Sequence, residues 1–258
     1  MKKIITLISL ILNITLLYAQ SEPTISKPYG SSLSFELTKK LKNNLSISFE
    51  QELRTRNNFK EFDRTTTFLS FDYSPEKYFK IGCFAGLILN NEFYSKHTES
   101  GRINIDTNYL QPRYRGGFYA TGLYKIGNFK LSLRERIQFT KWDKFKRIRP
   151  EKIIFDTLEA RQKFELRSKL ELSYKIPKTK IEIYSNAELF LYLNRKRNLE
   201  TLEYEDPFVN EIRYIIGLNY NFNKHHELNL YFRYNRIFEE IDSYNIIYLI
   251  GCGYAFKF

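Results

Sequence analysis

The chain is poor in cysteine, tryptophan, methionine and histidine, and after its first twenty residues it has no long apolar run. Each shortage excludes something. Two cysteines, Cys83 and Cys252, in 258 residues do not make a disulfide scaffold, so an exported chain of this length must be held together another way. Without a later apolar run near 20 residues long, no segment reads as a transmembrane helix. Only three histidines are present, His97, His225 and His226, and none sits on a strand beside a serine as a base beside its nucleophile would. Heptads, low-complexity tracts and Pro/Gly-rich linkers are missing too, and with them the signs of a coiled coil or of a divided chain.

What is present is an unusual pairing of aromatics, 17%, with charged residues, 27%. A disordered chain would lack the first and a helical membrane protein the second. The opening "MKKIITLISLILNITLLYAQ" has Lys2 and Lys3, an apolar run from Ile4 to Leu17, and then Tyr18-Ala19-Gln20. This is the pattern of a secretory signal peptide over residues 1–19, cut after Ala19, with 20–258 as the mature domain. Removing it takes two lysines from a net charge of +12 and leaves +10. An exported basic chain meets anionic lipid or lipopolysaccharide more readily than nucleic acid.

Strict alternation dominates the mature chain. In "LSISFEQELR", Leu45, Ile47, Phe49 and Leu53 oppose Ser46, Ser48, Glu50, Glu52 and Arg54. In "FKLSLRERIQF", Phe129, Leu131, Leu133, Ile137 and Phe139 oppose Lys130, Ser132, Arg134, Arg136 and Gln138. In "KFELRSKLELSY", Phe164, Leu166, Leu170, Leu172 and Tyr174 oppose Lys163, Glu165, Arg167, Lys169 and Glu171. A period of two means strands with one apolar and one polar face. A soluble antiparallel sheet alternates as well, but its strands usually run about 5–6 residues, whereas a strand tilted across a bilayer needs about 9–11. The stretches here have the longer value. Short turns ("KKLKNN", "SPEK", "KIGN", "KIPKTK", "NFNKHH") also alternate with longer polar connections, the sorting of an outer-membrane barrel with its short turns periplasmic.

Eleven strands are predicted: Ser31 to Thr38, Leu45 to Thr55, Arg64 to Tyr73, Phe79 to Phe93, Tyr109 to Tyr124, Phe129 to Trp142, Thr157 to Tyr174, Ile181 to Leu193, Phe208 to Asn221, Glu227 to Ile237 and Tyr244 to Phe258. Loop parity makes the first run downward, so with a periplasmic N-terminus an upward strand must precede it. Only Ser21 to Tyr29 can supply one, and Pro23 and Pro28 make it irregular. The expected fold is therefore an all-β, transmembrane up-and-down antiparallel β-barrel of about twelve strands, with ten as the alternative.

The C-terminal "YNIIYLIGCGYAFKF" fits that reading. Ile246, Tyr248, Ile250, Cys252, Tyr254, Phe256 and Phe258 share a face turned to hydrocarbon, while Gly251, Gly253 and Ala255 on the other face leave room inside. Pairing this strand with the first removes an edge that lipid could not solvate. Tyr254, Phe256 and Phe258 resemble the C-terminal signal read by the barrel assembly machinery, and Cys83 and Cys252 fall on apolar faces as small hydrophobes.

"EQELR" (Glu50 to Arg54), "NAELF" (Asn186 to Phe190) and "NEIRYIIGLNY" (Asn210 to Tyr220) go further. They resemble patterns of a family of Bacteroidetes-type outer-membrane proteins catalogued as domain of unknown function twenty-four-ninety, over most of the mature chain. The resemblance implies a barrel and no particular activity.

On the polar faces, Glu50, Glu52, Glu165, Glu171, Glu182 and Glu188 could pass for acid/base pairs, but Arg54, Arg134, Arg136, Lys163, Arg167, Lys169, Arg213 and Arg233 are as numerous. Mutual neutralisation in a lumen charge network is the simpler account. The basic stretch "KWDKFKRIRPEK" places Lys144, Lys146, Arg147 and Arg149 where they could meet lipopolysaccharide phosphates. No catalytic residue, cofactor or metal ligand is expected. The predicted function is a non-enzymatic outer-membrane barrel, structural or a narrow pore for small solutes. A lipid-modifying hydrolase, which needs Ser and His within about 3 Å, and a soluble periplasmic lipid-binding barrel, with every strand face inverted, are the alternatives.

Overall fold

Long alternating runs of β-branched and aromatic residues with polar partners become long strands, because each face then meets one kind of solvent. The computed structural model describes residues 29–41, 44–97, 103–142, 145–147, 156–158, 161–195, 207–238 and 244–258. The signal-peptide expectation over 1–19 lies outside them. The strands are β1 (Tyr29–Lys40), β2 (Leu45–Arg56), β3 (Glu61–Glu76), β4 (Phe79–His97), β5 (Ile103–Ile126), β6 (Phe129–Trp142), β7 (Phe145–Arg147), β8 (Asp156–Leu158), β9 (Arg161–Lys175), β10 (Ile181–Tyr192), β11 (Val209–Asn221), β12 (His226–Phe238) and β13 (Tyr244–Lys257). All but β7 and β8 close into one barrel in the order β1-β13-β12-β11-β10-β9-β6-β5-β4-β3-β2, while β7 and β8 pair as a small hairpin in the β6–β9 connection.

The expected all-β transmembrane barrel is what forms, with eleven strands rather than twelve or ten. The reason is the seam. Strand β1 pairs directly with β13 and in parallel, from Tyr29↔Tyr248 to Thr38↔Lys257, while every other ladder of the barrel is antiparallel. With β2 on its other edge, β1 has no edge left for a twelfth strand. Of the proposed extra strand, Tyr29 opens β1 and the rest lies outside the described residues. Backbone hydrogen bonds from Phe258 N to Thr38 O (2.9 Å) and from Lys40 N to Phe258 O (2.9 Å) fasten the short-turn end of the seam, and one from Asn58 N to Tyr29 O (2.9 Å) ties the start of β1 to the β2–β3 turn.

The loop asymmetry also appears. At one end the strands are joined by residues 41–44, 77–78, 127–128, 176–180 and 222–225; at the other by 57–60, 98–102, 143–160, 193–208 and 239–243. Two of the expected long loops are shorter than the sequence suggests. Residues 57–60 make a tight turn with positive φ at Asn57, Asn58 and Phe59, and β4 and β5 continue as a paired hairpin to His97↔Ile103. Beyond the bilayer a hairpin needs no apolar face, so a polar stretch there reads as loop although its backbone ladder persists.

The outward faces are apolar: Phe118 is 73% exposed and Ile216 63%, with Leu33, Leu133, Ile183 and Ile250 likewise exposed. Aromatic girdles flank this belt. Toward the long-loop end Tyr29 stacks on Tyr248 (5.4 Å between centroids), which meets Tyr234 at a tilt (5.6 Å), and Tyr234 meets Tyr214 (6.1 Å), while at the other end Phe256 stacks on Phe258 at 5.4 Å. Cys83 and Cys252 are free, half-buried and on the outward faces. The sidedness is opposite to the one a soluble lipid-binding barrel requires.

Candidate functional site

The polar faces line a cavity of about 960 Å³. All fourteen residues expected to line the lumen border it: Glu50, Glu52, Arg54, Arg134, Arg136, Lys163, Glu165, Arg167, Lys169, Glu171, Glu182, Glu188, Arg213 and Arg233. Further lining charges come from strands whose faces the sequence reading left unassigned, chiefly Glu36, Arg64, Arg113 and Arg115. The exposed even-numbered Leu110, Tyr114, Phe118 and Tyr124 of β5 set the parity that turns Arg113 and Arg115 inward, and that signal was available in the sequence.

The cavity touches both Lys130 and Trp142, at opposite ends of β6. At about 3.4 Å per residue and a tilt near 40°, that stretch spans about 30 Å along the barrel axis, the thickness of a hydrocarbon core. Three tyrosines lie against the wall where glycines leave them room. Tyr119, Tyr184 and Tyr231 each stand directly across a ladder from a glycine, Gly82, Gly217 and Gly251. A Cβ on Gly251 would lie 2.0 Å from the Tyr231 ring, so the ring lies flat where a side chain would be. The room expected inside Gly251 is therefore filled by its neighbour, and the ring lines the wall instead of standing in the passage.

Charges in the lumen are held unevenly. Glu188 accepts two hydrogen bonds from Arg167 (2.6 and 2.7 Å) and one from Arg213 (3.1 Å), and Arg213 also pairs with Glu211 at 2.7 Å. Glu52 takes Arg54 (2.8 Å), a hydrogen bond from Ser32 Oγ (2.5 Å) and, further away, Arg233 (3.7 Å). Glu165 is held by Lys163 (2.8 Å), Gln138 (2.8 Å) and Asn210 (2.7 Å), while Lys169 meets Glu171 (2.7 Å) and Lys130 approaches Glu182 (3.8 Å). Arg134 and Arg136 differ. Among the described residues neither has a carboxylate within ion-pair distance: Arg134 donates to Thr121 Oγ1 (3.2 Å), and Arg136 lies over the Phe84 ring at 4.5 Å. The expectation of mutual neutralisation describes the first group and not the second.

Other expected sites are dispersed. His225 Nδ1 donates to the Lys257 carbonyl (2.6 Å) and His226 Nδ1 pairs with the Tyr254 hydroxyl (2.5 Å), so both serve the short-turn end of the wall. His97 ends β4. No group of three His, Cys, Asp or Glu suited to a metal occurs among the described residues. Lys146 and Arg147 belong to β7, whereas Lys144 and Arg149 lie outside the described residues. Tyr254 stacks on Phe35 at 6.0 Å beside the seam, within the outward row that ends at Phe258.

Sequence reading passed over Glu135. It sits mid-strand in β6 on the outward face, between exposed Leu133 and Ile137, and accepts a hydrogen bond from Ser168 Oγ at 2.6 Å.

The chain is similar to two solved structures, and the fold is shared with the first. The β domain of the Bordetella autotransporter Brka is 11% identical, with a TM-score of 0.55 over 83% of this chain and 82% of that one. The NanC porin is 10% identical, with a TM-score of 0.45 over 89% of this chain and 98% of that one. No curated protein matches. With its model matched over residues 31–245, the chain belongs to the family described as protein of unknown function DUF2490.

Proposed function

We propose that the protein is a non-enzymatic outer-membrane barrel whose charged lumen is a narrow passage for small solutes. One observation carries this reading: a single polar-lined cavity touches lumen residues at both ends of β6, Lys130 and Trp142. The autotransporter-like fold and the apolar belt between aromatic girdles support the outer membrane as its location. Within the same reading, Tyr254, Phe256 and Phe258 serve as the segment recognised by the assembly machinery, and the basic β6–β9 connection, with Lys144, Lys146, Arg147 and Arg149, meets lipopolysaccharide phosphates.

The test is single-channel recording of the purified, heat-modifiable protein in planar bilayers. Steady unitary conductance, altered in Arg134→Ala and Arg167→Ala, is the expected result. Folded protein that inserts and never conducts overturns the passage and leaves a structural barrel.

A further inference from the structure

Among the described residues, thirteen Lys and Arg line the cavity against nine Glu. The excess is not spread evenly around the ring. On the β6–β9 ladder, Arg134 faces Lys169 and Arg136 faces Arg167. On the β1–β2 ladder, Glu36 faces Glu50. Between these two ladders lie β3, β4 and β5 on one side and β10, β11, β12 and β13 on the other, so they stand on opposite walls.

Like charges placed directly across a ladder destabilise it. Elsewhere in the lumen such a contact is relieved: Arg54 faces Arg64, but each has a carboxylate at 2.8 Å, from Glu52 and Asp63. On the basic wall Arg167 and Lys169 are relieved by Glu188 and Glu171. Arg115, Arg134 and Arg136 have no carboxylate within 4.0 Å among the described residues. They are oriented by groups that leave the charge in place: Thr140 Oγ1 for Arg115 (2.9 Å), Thr121 Oγ1 and the Tyr119 ring for Arg134, and the Phe84 and Tyr119 rings for Arg136. The Arg136 Nε is buried and has no hydrogen-bond partner among the described residues. A recess on this wall is bounded by Arg134, Arg136, Arg167 and Lys169 with Glu188 as its one carboxylate.

These three arginines stand at the β6 levels of Thr140, Arg136 and Arg134, about 20 Å apart from first to last along the strand. They form a descending track of guanidinium groups, each suited to grip a planar or tetrahedral oxyanion through paired N–H donors. Resting on the reading of the lumen as a passage, we infer that this track makes it selective for small anions bearing a carboxylate or phosphate group. The Glu36–Glu50 wall opposite repels them and keeps them on the track.

The experiment is the zero-current potential of the full-length protein in planar bilayers under a tenfold KCl gradient. Compared with the wild type are a triple Arg115→Gln, Arg134→Gln, Arg136→Gln variant and the corresponding triple Arg→Lys variant, all checked for heat-modifiable folding. The wild type should prefer anions by about threefold or more, the ratio that a lumen potential near half of kT sets by enriching anions and depleting cations together. The Gln variant should fall toward unity and the Lys variant should keep the preference. Millimolar acetate or inorganic phosphate should interrupt the wild-type current and not that of the Gln variant. Steady conductance with cation preference, or anion preference unchanged in the Gln variant, overturns the inference while leaving the passage intact. Absence of any wild-type conductance overturns the passage itself and the inference with it. If the Gln variant fails to fold, Arg136→Gln alone must lower the preference, and no change there counts against the track.

Discussion

The walls β9–β11 and β5–β6 meet where Arg167 faces Arg136, and they treat arginine in opposite ways. On the first, one carboxylate, Glu188, with its side chain 2% exposed, is clamped between Arg167 and Arg213, whose guanidiniums share the Phe190 ring at 4.8 and 4.7 Å. On the second, Arg134 and Arg136 have ring faces and a hydroxyl and no counter-ion among the described residues. A carboxylate between two guanidiniums neutralises and locks them, so that wall is architecture. Rings orient a guanidinium without cancelling its charge, so that wall keeps its field for whatever occupies the lumen.

Substitutions can break this contrast, beginning where the effect is largest. Glu188→Leu strands Arg167 and Arg213 without their shared acceptor, and urea unfolding in detergent micelles should show a loss of about 3 kcal/mol. Gly251→Val forces the Tyr231 ring off its seat and into the passage. The expected outcome is a destabilisation of about 1–3 kcal/mol with a visible drop in unitary conductance, and retained conductance would show that the ring lies elsewhere. Arg136→Gln sharpens the comparison from the other side, since it removes a charge that no carboxylate needs. Its unfolding free energy should stay within about 1 kcal/mol of wild type, so a loss as large as that of Glu188→Leu would make Arg136 architecture too. Glu135→Leu probes the outer surface, where a carboxylate meets hydrocarbon with only Ser168 to hold it. A gain of about 1 kcal/mol is expected from the same unfolding assay, because an acidic group on the lipid face opposes insertion.

Much of the barrel was legible in the sequence because a bilayer imposes a period of two over long stretches. Once Phe49 and Leu53 are outward, Glu50, Glu52 and Arg54 have nowhere to go but the lumen. The strand count was not legible in the same way, because it depends on which edges meet at the seam, a relation between Tyr29 and Tyr248 that no local pattern encodes. Glycine misled for a related reason. Gly251 looks like empty space along β13 and is a seat for Tyr231 only once the register with β12 is known. Charge pairing was half legible: abundance of both signs predicts neutralisation on average, but whether Arg136 finds Glu188 or Phe84 depends on levels set by register. Glu135 escaped because a run of correct outward residues around it hides one polar exception.

An odd ring also has a geometric consequence. Adding each strand reverses the direction of travel, so eleven of them carry the chain from one face of the bilayer to the other, and the parallel seam is the signature of that unreturned journey. Labels at Tyr29 and at Phe258 would report to opposite compartments, because the first and last strands of the barrel run the same way across the bilayer.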